Sequence, residues 1–210
     1  MTETKQGPVK IIIFDCDGVM FDTINSNKAY YNDILHNFGL PDLTDDQFKY
    51  VHSHTCEESL AFLFNKSGLL PHAIAYHNQI NYTKYIDHMV IEPDLKPLLI
   101  YLEKNQIKRA IATNRTDTMP LVMKTFGLNP YFDVVITALD TKNPKPAPDA
   151  IYQILDQWHL LPQDALYIGD SKVDEMTAQN SGVPFIAYQN LSIQADYHIN
   201  RLKEIIAIIS

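Results

Sequence analysis

The stretch Ile11-Ile12-Ile13-Phe14-Asp15-Cys16-Asp17-Gly18-Val19 runs an apolar strand into two carboxylates one residue apart, and a glycine follows. Strand side chains alternate faces, so an ideal strand puts Asp15 and Asp17 on the same side. Two like charges that close need a counter-cation or a shared proton. Three further segments close a predicted strand with polar residues. They are Thr113-Asn114-Arg115, Lys145-Pro146-Ala147-Pro148-Asp149 and Gly169-Asp170-Ser171-Lys172-Val173-Asp174. Asp15, Asp17 and Asp170 gather hard oxygens that suit Mg²⁺, which takes one or two carboxylates plus waters and substrate phosphate. Thr113 offers a hydroxyl, Asn114 a main-chain N–H and Lys145 a point charge. With a metal, such a set forms an electrostatic cradle for a phosphoryl group in transit. No Ser–His or Cys–His signature competes, which leaves a carboxylate as nucleophile.

The elements that must position these groups show two textures. Strands are predicted at Lys10–Phe14, Arg109–Thr113, Val134–Thr137, Ala165–Gly169 and Pro184–Tyr188, with helices near 94–104, 117–126, 147–157, 172–181 and 200–209. That alternation signals a parallel sheet with helices on both faces. Right-handed crossovers would align the strand C-terminal ends along one edge, where ligands bind. Residues 23–91 carry helical spacing instead, over Asn27–Asn37, Thr44–His52, Glu57–Lys66 and Pro71–His88, with no convincing strand. Thr44-Asp45-Asp46 reads as a helix start with acids in its first turn. The expected architecture is therefore a Rossmann-like, doubly wound α/β core with an inserted all-helical subdomain. The core comprises 1–22 and 92–210, and the insert 23–91.

Composition bounds the function. The chain of 210 residues is 46% hydrophobic and 20% charged, enough apolar content for a packed core. Met1–Gly7 is polar with nothing to bury and lacks the apolar stretch of a signal peptide. No run approaches a membrane span. A net charge of −8 without a basic run argues against nucleic acid, and makes local cations responsible for attracting any anionic substrate. The two cysteines, Cys16 and Cys56, form no disulfide framework and read as small buried filler in a reducing cytoplasm.

The four polar segments, in this order, resemble the four motifs of the haloacid dehalogenase-like hydrolase superfamily. Phe14-Asp15-Cys16-Asp17-Gly18-Val19 is similar to its first motif in the phosphatase and phosphomutase form, and residues 23–91 resemble its C1-type helical cap. The resemblance implies that Asp15 attacks phosphorus to give an aspartyl-phosphate. Asp17 would protonate the leaving oxygen and then take a proton from water. Thr113, the Asn114 main chain and Lys145 would hold the phosphate. Mg²⁺ would sit on Asp15, the Asp17 carbonyl and Asp170, with Asp174 orienting groups from behind. Asp17 would then need its pKa raised from about 3.9, which cap closure would supply by desolvation. The implied partner is a small phosphorylated metabolite, with monomer and homodimer both open. A β-phosphoglucomutase-type phosphomutase is the alternative. In those enzymes an arginine in a stretch resembling Ser-Arg-Glu-Asp-Ser-Leu helps hold the sugar phosphate. Here Thr55-Cys56-Glu57-Glu58-Ser59-Leu60 puts Cys56 in its place, and a thiol cannot make a bidentate phosphate contact.

Each segment also has a bland reading. Asp pairs cap turns, Thr113-Asn114 could be an ordinary strand exit, and Ser171 could be a helix N-cap without a ligand. Arg115 reads as salt-bridged or solvated, with contact to substrate or phosphate as the alternative, and Asp22 with Thr23 as binding the chain turn. Lys142 competes with Lys145, but the Lys-Pro-x-Pro pattern begins at Lys145. The run Tyr76–Tyr85 reads as helix packing. His52 and His54 lie between two cap helices, either on the surface or against substrate.

Overall fold

The computed structural model describes residues 8–65 and 67–210. Met1–Gly7, and Lys66 at the end of the predicted helix 57–66, lie outside the described residues. In chain order the strands are β1 (Ile11–Phe14), β2 (Phe21–Asp22), β3 (Val90–Ile91), β4 (Lys108–Ala112), β5 (Val134–Ile136), β6 (Ala165–Gly169), β7 (Phe185–Tyr188) and β8 (Tyr197–Ile199). The helices are α1 (Ile24–Asn37), α2 (Asp45–Ser53), α3 (Cys56–Phe64), α4 (Leu70–His77), α5 (Thr83–Ile86), α6 (Leu95–Lys104), α7 (Met119–Thr125), α8 (Asp149–Asp156), α9 (Lys172–Ser181) and α10 (Ile205–Ile209).

β1 is wholly apolar because it is central. The sheet runs β5-β4-β1-β6-β7-β8, every neighbouring pair parallel. Alternation sends Ile12 and Phe14 to one face, against Leu95, Leu98, Leu99 and Leu102 of α6 and Val122 of α7. Ile11 and Ile13 face the other way, against Ile151 and Ile154 of α8 and Ala178 of α9. Both faces are covered, as a parallel sheet requires. The register pairs Phe14 with Ile111 on one side and Ile168 on the other. Asp15, Thr113 and Asp170 therefore leave their strands within about one residue of the same level. Sheet pairing, not loop geometry, brings the three motifs together.

Helices α1–α5 form the inserted subdomain around their own apolar cluster, which includes Tyr30, Tyr31, Ile34, Leu60, Phe64 and Tyr85. Two capping boxes set its geometry, Thr44 with Gln47 at α2 and Thr55 with Glu58 at α3. Three details depart from the sequence reading. The predicted helix 71–88 is two helices, because the Asn81 side chain accepts a hydrogen bond from the Thr83 N–H (3.0 Å) and offers the backbone a turn instead. A short antiparallel ribbon, β2 with β3, joins the subdomain to the core where no strand was expected. Strand β8 was also not anticipated. It is a three-residue edge strand whose polar His198 hides the pattern.

Leu95, Leu98, Leu99 and Leu102 fall at i, i+3, i+4 and i+7, and all are almost fully buried. Leu99→Ala should therefore lower unfolding stability by about 2–5 kcal/mol, read as a reduced urea midpoint at unchanged slope. A change below 0.5 kcal/mol, roughly what an exposed site gives, would contradict the placement of α6 against β1.

Candidate active site

Lys145 lies at the centre of the sheet edge. Its Nζ donates to Asp15 Oδ1 (2.6 Å), Asp174 Oδ1 (2.7 Å) and the Tyr167 hydroxyl (3.1 Å), all of them buried. The loop that presents it is clamped by Asn114, whose Oδ1 accepts from the Lys145 N–H (2.9 Å) while its Nδ2 donates to the Lys145 carbonyl (3.1 Å). Lys142 is exposed and outside the cavity, whereas Lys145 is buried and lines it. Asp15 is fixed by its N–H donating to the Ile168 carbonyl (2.9 Å), and Thr113 by its N–H donating to Ile136 (3.1 Å). Asp174 has both oxygens engaged: Oδ1 accepts from Lys145 and Tyr167, Oδ2 from the Ser171 hydroxyl (2.5 Å) and N–H (3.2 Å). Ser171 is indeed the N-cap of α9. The same acid thus closes a capping box and anchors Lys145.

Electrostatics here are unbalanced. Burial pushes the Asp15 carboxyl up to about 7 despite Lys145 beside it. Asp170 is also raised, by burial and by Asp174 and Asp15 nearby. Burial would raise Asp174 too, but Lys145 and its hydrogen bonds outweigh that and hold it below the carboxylate range. One lysine faces three acids. Carboxylate oxygens of Asp15, Asp170 and Asp174 lie within 4.8 Å of one another. Gly18, at φ +82°, is what lets Asp170 come close: a Cβ there would sit 2.1 Å from Asp170 Oδ2. A hard-oxygen cluster with excess negative charge fits a divalent cation held by Asp15 and Asp170, Asp174 being already saturated.

Asp17 departs from the sequence expectation. Arg115 grips it bidentately, Nε to Oδ2 and Nη2 to Oδ1, both 2.7 Å. Burial alone would raise the Asp17 pKa, but the guanidinium and its hydrogen bonds prevail and lower it. Desolvation therefore does not make Asp17 an acid in this arrangement. Arg115 also donates to the Tyr82 hydroxyl (3.1 Å), so it ties the core to the helical subdomain. The salt-bridged reading of Arg115 holds. Asp22 likewise serves the chain turn, its Oδ1 accepting from the Ile24 N–H (3.0 Å).

The cavity above Asp15 and Asp17 is lined from the helical side by Asn27, Tyr30, His52, His54, His77 and Tyr82, together with Cys56. His52 and His54 both face it. Cys16 is buried as expected, but Cys56 is not filler: it is half-buried in the cavity wall, 3.5 Å from the Tyr30 hydroxyl and 3.7 Å from His77 Nδ1. The tyrosine run packs as expected, Tyr76, Tyr82 and Tyr85 all against the cap's apolar cluster, and Tyr82 also lines the cavity. Sequence reasoning missed Asn27, Tyr30, His77, Tyr82 and Tyr167. None stands in a motif: the helical subdomain presents Asn27, Tyr30, His77 and Tyr82, whereas Tyr167 is placed by strand β6.

Residues 12–188 match the family model described as haloacid dehalogenase-like hydrolase. The chain is 29% identical to a phosphoglycolate phosphatase of Rhodobacter capsulatus, over 84% of this chain and 83% of that one. It is 26% identical to the pyrophosphatase PpaX of Bacillus velezensis, over 83% and 80% of the two chains. The crystal structure of a HAD-superfamily hydrolase, subfamily IA, variant 1, from Geobacter sulfurreducens superposes with a TM-score of 0.79 at 34% identity, covering 98% of this chain and 99% of that one.

Removing Lys145 would leave two buried carboxylates without their cation. Lys145→Met should cost about 3–5 kcal/mol of unfolding stability at neutral pH, and a loss under 1 kcal/mol, about what an exposed pair gives, would show the pair to be solvated. His77 gives a pH test. Burial lowers its pKa below 6.5, outweighing the pull of Asp117, so the unfolded chain binds more protons than the folded one as pH falls through 6.5. That contribution to stability is full at higher pH and is lost on acidification. His77→Gln should therefore lose less stability than the native chain between pH 7.5 and 5.5, the window around about 6.5. Equal losses in thermal denaturation would contradict the assignment.

Proposed function

The chain belongs to the haloacid dehalogenase-like hydrolases, and from that membership we propose that it is a Mg²⁺-dependent phosphatase, hydrolysing a small phosphorylated metabolite through an aspartyl-phosphate. The observation that carries this reading is Asp15 at the end of the central strand, held 2.6 Å from Lys145 and beside Asp170 and Asp174. The phosphatase names of two relatives support it.

In this reading Asp15 attacks phosphorus, its carboxylate oxygen forming the new P–O bond as the ester P–O bond breaks. Asp17 delivers its proton to the departing oxygen. Water then attacks the aspartyl-phosphate, Asp17 takes back a proton, and phosphate leaves with Asp15 restored. The Thr113 hydroxyl and the Asn114 main-chain N–H hold phosphoryl oxygens. Lys145 stabilises both the phosphate and the Asp15 carboxylate. Mg²⁺, held by Asp15, the Asp17 carbonyl and Asp170, would supply charge neutralisation at the phosphoryl oxygens. Asp174 acts from behind by fixing Lys145. For Asp17 to carry a proton its clasp with Arg115 must open. Residues 23–91 serve as the cap on a core of 1–22 and 92–210, with the β2–β3 ribbon as the joint, and Tyr82 transmits cap movement to Arg115.

The phosphomutase alternative is not favoured. Cys56 faces the cavity where that reading needs a phosphate-binding arginine. No helix among the described residues is long and apolar enough to cross a membrane, and the two free cysteines suit a reducing cytoplasm.

Phosphate release from a panel of phosphomonoesters, with Mg²⁺ and then with EDTA, tests the reading. Activity should vanish with EDTA and return with Mg²⁺. Asp15→Asn should cut turnover by about 10³-fold or more with the fold intact. No release from any ester, or near-native activity of the variant, would overturn it. Mg²⁺ should also raise the native melting temperature and do so less in Asp170→Asn. An equal rise in both would remove Asp170 from the metal.

A further inference from the structure

The helical wall of the cavity carries no lysine or arginine among the described residues. The described lysines of that subdomain are engaged elsewhere: Lys28 lies over the Phe48 ring, Lys49 pairs with Asp46 and Lys84 with Asp33. The two cations on the core side are both committed, Lys145 to Asp15 and Asp174, Arg115 to Asp17. What the wall offers is hydrogen-bonding side chains. Asn27 Nδ2 donates to His52 Nδ1 (3.0 Å), and the His54 Nδ1–H donates to the Tyr50 carbonyl (2.8 Å). Burial also keeps His52 and His77 below the ordinary imidazole range, so both are neutral at pH 7. Tyr82 presents a hydroxyl. The floor holds Asp15, Asp17 and Asp170, and the whole chain carries −8.

A phosphoryl group on the floor meets Lys145 and a metal. A second anionic group lying against the helical wall would meet a negative field there, with no cation of that wall among the described residues to offset its desolvation. We propose that the leaving alcohol of this chain's substrate is uncharged and hydroxyl-bearing, as in a sugar or nucleoside monophosphate, and that esters with a second anionic group, including phosphoglycolate and pyrophosphate, are disfavoured. This rests on the phosphatase reading and separates the chain from the activities named for two of its relatives.

Matched substrates isolate the charge. With Mg²⁺ and the native chain, 2-hydroxyethyl phosphate is compared with phosphoglycolate, and phenyl phosphate with 4-carboxyphenyl phosphate. A hexose monophosphate and a nucleoside monophosphate in the same assay distinguish the two sources of a hydroxylated alcohol. The uncharged member of each pair should have a kcat/KM higher by about ten-fold or more. His77→Lys, which adds a cation to the wall, should narrow that gap by raising the rate with the anionic member. Equal rates, or preference for the anionic member, would overturn the inference while leaving the phosphatase reading in place. Release from neither member of either pair, nor from the sugar or nucleoside esters, would overturn both.

Discussion

One buried ammonium between two buried carboxylates underlies this structure. Asp15 and Asp174 approach Lys145 at 2.6 and 2.7 Å from different elements, one at the end of β1 and one in the first turn of α9. At such distances even a moderate effective dielectric makes each attraction worth several kcal/mol, and makes loss of the cation correspondingly expensive. The surroundings follow from that need. Asn114 grips the Lys145 backbone from both sides. Gly169 has no side chain because a Cβ there would lie 2.2 Å from that of Asp174. Tyr167 spends its hydroxyl on the same pair. A charge set held this rigidly is already oriented before any ligand arrives, which is how a site stabilises charge developing in a transition state.

A second pair, Asp17 with Arg115, does a different job. It is bidentate and half-buried, and one partner reaches Tyr82 in the helical subdomain. The first cluster is closed within the core, whereas the second spans core and cap. A shift of the cap that moves Tyr82 would therefore act on Asp17 and leave Lys145 untouched. On the proposed mechanism, nucleophile and acid would thus be under separate control. That separation gives the fold a way to keep the acid ionised until substrate is enclosed.

Much of this was legible in the chain because strand ends are written locally. Ile11–Phe14 is apolar on both faces only because β1 is central, and the polar residue after each strand must then emerge at the shared edge. Ser171 was readable as an N-cap, since capping is a local matter of residue type at the helix start. Arg115 was not readable as the partner of Asp17, as the two lie 98 residues apart and no spacing rule links them. The cap wall was equally hidden. Tyr82 and Tyr85 stand in the same short run and both pack on the apolar cluster, yet of the two Tyr82 also lines the site. Between α4 and α5 the chain turns through hydrogen bonds that include the Thr83 N–H to Asn81. Cys56 looked like core filler because a lone thiol has no pattern to betray exposure.

On the proposed reading, motifs in the core would define the reaction class and side chains on the cap what is carried into it. The central claim is that Asp15 forms the covalent intermediate. The most direct measurement is acid-quench trapping of label from a ³²P-phosphoester, followed by peptide mapping, with Asp17→Asn used to slow breakdown. Hydroxylamine-sensitive label on the peptide containing Asp15, absent in Asp15→Asn, is the predicted result. Phosphate release with no protein-bound label in the Asp17→Asn variant, or label that persists in Asp15→Asn, would contradict the account.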